Sequence, residues 1–215
     1  MDYSYRTLAK KSSEEMIINK SRFIGYSAPV ASEEEAISFI DKIKEINKDA
    51  THNVYAYVYG RESNIQRFND DGEPSGTGGI PILEVIKKED LRNVVVVVTR
   101  YFGGVKLGGG GLIRAYTRSA KSAIDKSIIV ENKLFNKLFI KTSYSSYGKI
   151  ENYFSEDGYN FESIDFLEDV EILIYIQVEK TDRVISDLMN ITSGELEYEL
   201  LGDLYLPVKD GIRWV

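Results

Sequence analysis

The sequence predicts an α+β protein of two domains, residues 1–132 and residues 133–215. Three observations lead there. Hydrophobic periodicities after Asn132 run in the order βαββαβ, the ferredoxin-like arrangement, while those before Glu131 follow a different order. Charge divides at the same place: residues 1–132 hold 19 Lys and Arg against 18 Asp and Glu, a net of +1, and residues 133–215 hold 8 against 16, a net of −8. A chain of 215 residues with 43% hydrophobic content can bury one large core or two small ones.

In the first domain, strands are expected at about 16–19 and 22–28. A helix follows, opened by Ser32 as N-cap, with Glu33, Glu34 and Glu35 in its first turn. Ala36, Ile37, Phe39, Ile40, Ile43 and Ile46 give it one apolar face as far as about Asn47. Strands at 53–59 and 65–69 come next, then a loop at 70–79 and a helix at 81–88. The five valines 94–98 are too few to span a membrane and too β-branched for a helix, so they read as a strand buried on both faces. A helix from about Leu112 to Lys126 completes an α+β domain whose helices cover a mixed sheet. In the second domain the strands fall at 133–143, 160–166, 170–178 and 195–206, with helices at 146–157 and 182–191. No repeat or low-complexity tract interrupts the pattern.

Composition excludes several kinds of chemistry. With no cysteine there is neither a disulfide framework nor a thiolate, and the single histidine, His52, excludes ordinary structural zinc sites. No cofactor or metal is expected. The beginning of the sequence lacks an apolar segment of signal-peptide length, and no run is long enough to span a bilayer, so the expected location is cytoplasmic.

From Arg92 to Ile124 the chain has six basic residues and no acid, although its net charge is −7. The valine strand ends in Arg100, and the chain then runs through Gly103-Gly104, Lys106 and the tetrad Gly108, Gly109, Gly110 and Gly111 into a helix. Its first-turn N–H groups lack intrahelical partners. Such a helix start favours negative charge, and glycines let a ligand approach the backbone closely. Arg114, Arg118 and Lys121 share one face of that helix. Together with Arg100 and Lys106 they form the candidate anion or nucleic-acid site. The competing readings are an ordinary solvated basic face, and glycines that serve only helix-to-strand contact.

The motifs resemble those of the YigZ/IMPACT family. They comprise the spacing from Gly79 through Ile82-Leu83, Ile86, Leu91 and Val97-Val98 to Arg100-Tyr101-Phe102-Gly103-Gly104 and Leu107-Gly108, together with Ala50-Thr51-His52 and the loop Asp71, Gly72, Glu73, Pro74, Ser75, Gly76 and Thr77. The likeness extends over essentially the whole chain. It implies a first domain folded like a ribosomal-protein domain also found in elongation factor G, and a ferredoxin-like second domain resembling another domain of that factor. Eukaryotic relatives regulate translation by binding the activator of an amino-acid-sensing kinase, but with a different second domain.

Other constellations carry weaker chemistry. The glycine tetrad lacks the Gly-Lys-Ser/Thr ending of a P-loop. Asp70, Asp71 and Glu73 on an exposed turn could hold a hydrated cation or simply solvate the loop, and residues 75–79 could form a backbone nest for an anion. A triad of Ser75, His52 and Glu73 or Asp71 has the residue types of a hydrolase but not the Gly-x-Ser-x-Gly elbow. Tyr55, Tyr57 and Tyr59 alternate along one strand, either to stack bases or to sit under a helix. The expected function is non-enzymatic binding linked to translation or its regulation. The first domain would contact RNA or the ribosome, and the acidic second domain a protein partner, without a membrane. The alternative is an enzyme acting on a phosphorylated small molecule between residues 70–79 and 100–111.

Overall fold

The structure, a computed structural model, describes residues 3–60, 62–156 and 158–214. In chain order the elements are β1 (Ser4–Leu8), β2 (Ser12–Ile18), β3 (Ser21–Pro29), α1 (Glu33–Ile46), β4 (His52–Tyr59), β5 (Ile65–Asn69), α2 (Gly79–Lys88), β6 (Val94–Tyr101) and α3 (Gly109–Ser127). There follow β7 (Ile129–Thr142), α4 (Tyr144–Glu156), β8 (Phe161–Phe166), β9 (Val170–Gln177), α5 (Val178–Ile191), β10 (Leu196–Lys209) and β11 (Ile212–Arg213). Asp157, the expected last residue of the helix at 146–157, lies outside the described residues. Two compact units result, one formed by residues 5–131 with 207–214 and the other by 3–4 with 132–206.

The first unit carries a five-stranded sheet in the order β2-β3-β6-β4-β5. Each of its pairings is antiparallel, which corrects the expected mixed sheet. The strand–helix–strand run β3-α1-β4 suggests parallel neighbours. Instead β6 lies between β3 and β4, with Gly25 opposite Val98 on one side and Val54 opposite Val98 on the other. The helical crossover therefore skips one strand position, and that position is taken by an antiparallel strand.

The valine strand is buried on both faces as expected. Val94, Val96 and Val98 join Ile82 and Ile86 of α2 and Leu112, Tyr116 and Ile124 of α3 in one core cluster. Val95 and Val97 face the other way, against Ala36, Ile40 and Ile43 of α1. A branched side chain suits this position because it fills a pleated surface at little rotamer cost. The three tyrosines of β4 belong to the α1 side. Tyr57 donates to Glu33 Oε1 at 2.6 Å and Tyr59 to the Ala31 carbonyl at 3.0 Å, so the stripe sits under a helix rather than offering a stacking surface. Burial, then the Glu33 carboxylate, pushes the Tyr57 phenol up to about 12.

α1 starts where its cap places it. Ser32 is extended at φ −154°, and its hydroxyl accepts from the Glu35 N–H at 3.1 Å, while Glu35 Oε2 reaches back to the Ala31 N–H at 2.7 Å. The first bond satisfies an N–H that the helix cannot satisfy itself, and the second ties down the residue before the cap. Ser32→Ala is expected to cost about 1 kcal/mol, measured by urea denaturation, and Ser32→Asp to cost little. Equal stability of all three proteins would show that the cap is idle.

The second unit has its strands in the order β10-β7-β9-β8, with β7 and β8 both antiparallel to β9. With α4 and α5 this is the ferredoxin-like βαββαβ arrangement. Leu138, Ile140, Ile172, Ile174 and Ile176 of the sheet pack on Ile150 and Phe154 of α4 and on Val184 and Leu188 of α5. β1 and β11 fall outside the expected element pattern. β1 is held by pairing with β7 and by an isolated bridge from Arg6 to Leu91, and β11 by two positions on β10.

Candidate functional site

The loop at 70–79 turns its polar groups inward. Asp70 accepts from the N–H groups of Gly76 at 2.8 Å, Gly78 at 3.0 Å and Gly79 at 2.8 Å. The backbone nest at the start of α2 is thus filled by a carboxylate of the protein itself. Asp71 accepts from the Asn53 N–H at 2.6 Å and lies 3.5 Å from Lys44 Nζ. Glu73 is only 7% exposed, which corrects the expectation of an exposed acidic turn.

Glu73 anchors a buried charge cluster. Its Oε1 lies 2.7 Å from Arg100 Nη1 and accepts from the Tyr116 hydroxyl at 2.7 Å. Arg100, on β6, is 5% exposed, and its guanidinium also lies over the Phe23 and Phe102 rings. Its charge is neutralised by Glu73, an ion pair made tolerable at this depth by the hydrogen bond that Tyr116 adds. Burial, followed by the Glu73 carboxylate, raises the Tyr116 phenol far above its ordinary value.

His52 belongs to the rim of the same cluster. Its Nδ1 lies 2.7 Å from the Asp71 carbonyl oxygen and its Nε2 3.8 Å from Glu73 Oε2, which leaves neither nitrogen hydrogen-bonded to Ser75. Gly72 lies against the His52 ring at a φ of +86°. Pro74 offers its carbonyl to both the N–H and the hydroxyl of Thr77, at 3.0 and 2.6 Å. Ser75 is exposed, and Gly76, at a φ of +76°, turns the chain toward α2. The family-motif residues 71–77 and His52 are therefore brought together as a self-satisfied plug, without the alignment a nucleophile needs.

The glycine tetrad behaves differently. Gly108 is the N-cap of α3, and Gly109, Gly110 and Gly111 are its first turn rather than a loop before it, so the helix begins three residues earlier than expected. Glycine has low helix propensity, but at Gly111 an added Cβ would stand 2.9 Å from Leu107 Cβ, a contact only glycine avoids. The turn has no side-chain cap and no acid. A Cβ at Gly110 would lie 3.6 Å from Arg114 Nη1, which places that guanidinium alongside the first turn. Thr77 Cγ2 lies 4.0 Å from the same construction at Gly109, so the two glycine segments do converge.

Lys106, Arg114 and Arg118 are exposed and form no ion pair among the described residues. Lys121 is half-buried and bridges Glu89 at 3.3 Å and Asp125, whose hydrogen bond raises its pKa. The structure thus separates the expected basic set into three free cations and two committed ones, Arg100 and Lys121. Sequence reasoning missed Tyr116 as a partner of Glu73 and Asp70 as the occupant of the nest. An acid six to nine residues ahead of a glycine-rich helix start is the signal that would have pointed to Asp70.

The family model of the Impact N-terminal domain matches residues 19–124, and a domain of unknown function, DUF1949, matches residues 140–195. The IMPACT family member YvyE of Bacillus subtilis strain 168 is 44% identical over 195 residues, which cover 91% of this chain and 90% of that protein. The chain belongs to the IMPACT family. Protein IMPACT of Xenopus laevis is 40% identical over 94 residues, 41% of this chain and 30% of that protein. A crystal structure of a hypothetical protein superposes with a TM-score of 0.62 at 26% identity, covering 94% of this chain and 99% of the other. Among the described residues no helix is long and apolar enough to cross a membrane.

Proposed function

We propose that the protein is a non-enzymatic binding factor acting in translation or its regulation, as the eukaryotic IMPACT resemblance implies. The first unit contacts phosphates of RNA or the ribosome through Lys106, Gly108 to Gly111, Arg114 and Arg118, and the acidic second unit docks on a protein. One observation carries the reading. Of two glycine-entered helices in the first unit, α2 has its N-terminus taken by Asp70, whereas the start of α3 carries no side-chain cap and has Arg114 alongside its first turn. An uncapped helix start with free cations beside it suits a phosphate. A compact enzymatic pocket is less well supported, because Asp70 is taken up by backbone N–H groups and the charges of Glu73 and Arg100 are spent on one another.

The test is a salt series on single-stranded RNA and on ribosomes with Arg114→Glu/Arg118→Glu. Each lost phosphate contact should flatten the slope of log affinity against log salt by about 0.7, so two should change it by roughly 1.4. The fold should survive, since both side chains are exposed. Reversal of Lys42 and Lys48, exposed on or beside α1, is the control. Unchanged binding by the double variant across the series would reduce this face to solvated surface.

A further inference from the structure

We propose that the open edge of β10, residues 196–206, is the docking site for an extended, lysine- or arginine-rich segment of a partner protein, which adds to the sheet as a further strand. The proposal rests on the reading above that the acidic unit binds a protein, and gives that contact a place and a chemistry.

In the strand order β11-β10-β7-β9-β8, β11 pairs with β10 only at Val208 and Lys209. Among the described residues no strand occupies that side of β10 along residues 196–206. A strand edge of this kind presents N–H and C=O groups that another chain can pair with. Pro207 closes the open stretch, because it has no N–H and its carbonyl accepts from the Trp214 N–H at 2.7 Å.

The side chains on this edge are unusual for a strand so near a core. Leu196 packs on the core of the second unit, and the two-residue period puts Tyr198 and Leu200 on the same face. Yet these two are 46% and 47% exposed, and Leu201 on the opposite face is also 47% exposed. The apolar row therefore continues beyond its helical cover, and an added strand would bury it.

Charge selects the occupant. From Val184 to Val208 the chain has no lysine or arginine, and Glu195, Glu197, Glu199 and Asp203 are all exposed. Lys141, which feels Glu197, is already paired with Asp169 at 3.3 Å. RNA would be repelled. A second copy pairing through this edge would set acid against acid, whereas a basic strand would be drawn in and fixed in register. The opposite edge of the sheet offers no equivalent. β8 has six residues, its register shifts between Phe161 and Ser163, and the Phe166 ring is packed with Tyr144 and Tyr147.

The experiment uses the full chain and two synthetic peptides matched in length to the edge, one alternating lysine with valine and one alternating glutamate with valine. The lysine peptide is expected to bind at least about tenfold more tightly, by fluorescence anisotropy, and to slow amide hydrogen exchange in residues 196–206 but not in 161–166. Glu197→Lys/Glu199→Lys/Asp203→Lys should reverse the preference. Arg114→Glu/Arg118→Glu should leave peptide binding unchanged, so that failure of the RNA reading and failure of this one are seen separately. Equal affinity for both peptides, unaltered exchange in residues 196–206, or protection of that edge by self-association without peptide would each overturn the proposal.

Discussion

Glu73→Ala is expected to destabilise the first unit by about 3–5 kcal/mol, because it leaves the Arg100 guanidinium buried without its counter-charge. Arg100 Nη1 would lose its partner at 2.7 Å and the Tyr116 hydroxyl its acceptor, while Arg100 Nε is already buried without one. In a unit of this size the loss corresponds to a fall in Tm of about 10–20 °C. Glu73→Gln should cost less, since an amide oxygen still accepts. The double change Glu73→Leu/Arg100→Met should recover much of the loss, because apolar residues of similar volume can replace a buried pair. A cost below about 1 kcal/mol for Glu73→Ala would show that the cluster does not hold the loop at 70–79 to the sheet.

The second large effect is expected at Gly103→Ala. An added Cβ there would overlap the backbone carbon and oxygen of Lys20, and that backbone cannot move aside as a flexible side chain could. Asn19 and Lys20 form the two-residue turn joining Ile18 to Ser21, with φ of 46° and 65°, the geometry of a tight type I′ hairpin. Shifting it would disturb β2 and β3 together, at a cost of about 3 kcal/mol. Gly104 is the informative neighbour. Its φ is +80°, but no atom lies within 4 Å of a Cβ built on it, so Gly104→Ala should cost only about 1 kcal/mol. Urea denaturation of both variants decides the matter, and a costlier change at Gly104 would mean that backbone conformation, not contact with the turn, explains the pair.

These two positions also mark what the sequence could and could not convey. Local signals were legible: Ser32 with Glu35 three residues on announces the start of α1, and five valines can only be a strand walled on both sides. The βαββαβ order of the second unit was legible from periodicity alone. What escaped were relations between distant polar residues. Glu73 and Arg100 are 27 positions apart, and alone the first reads as a loop charge and the second as an anion ligand, since nothing local says that the two meet at Tyr116. The start of α3 reads late from the sequence for a different reason. Low helix propensity hides the first turn at Gly109 to Gly111, and the close approach of Gly111 to Leu107, four residues away, shows only in the folded backbone. Glu73 and Glu89, which pair with Arg100 and Lys121, are distant in the chain in the same way, whereas Asp125 stands four residues after Lys121 and is a local helical signal.

The grouping of residues 207–214 with 5–131 has a consequence for how the protein is made. A ribosome delivers the chain vectorially, so the two-stranded clasp that includes the buried Val208 emerges only after the whole of the intervening unit. At about 5–20 residues per second, the roughly 76 residues from 132 to 207 impose a wait of about 4–15 s. During that interval the valine-centred core can assemble, since all five strands of its sheet are already made, but the clasp that groups with it is not yet synthesised. The nascent first unit therefore passes through an unfinished stage that no refolding experiment from denaturant, with all residues present at once, would reproduce.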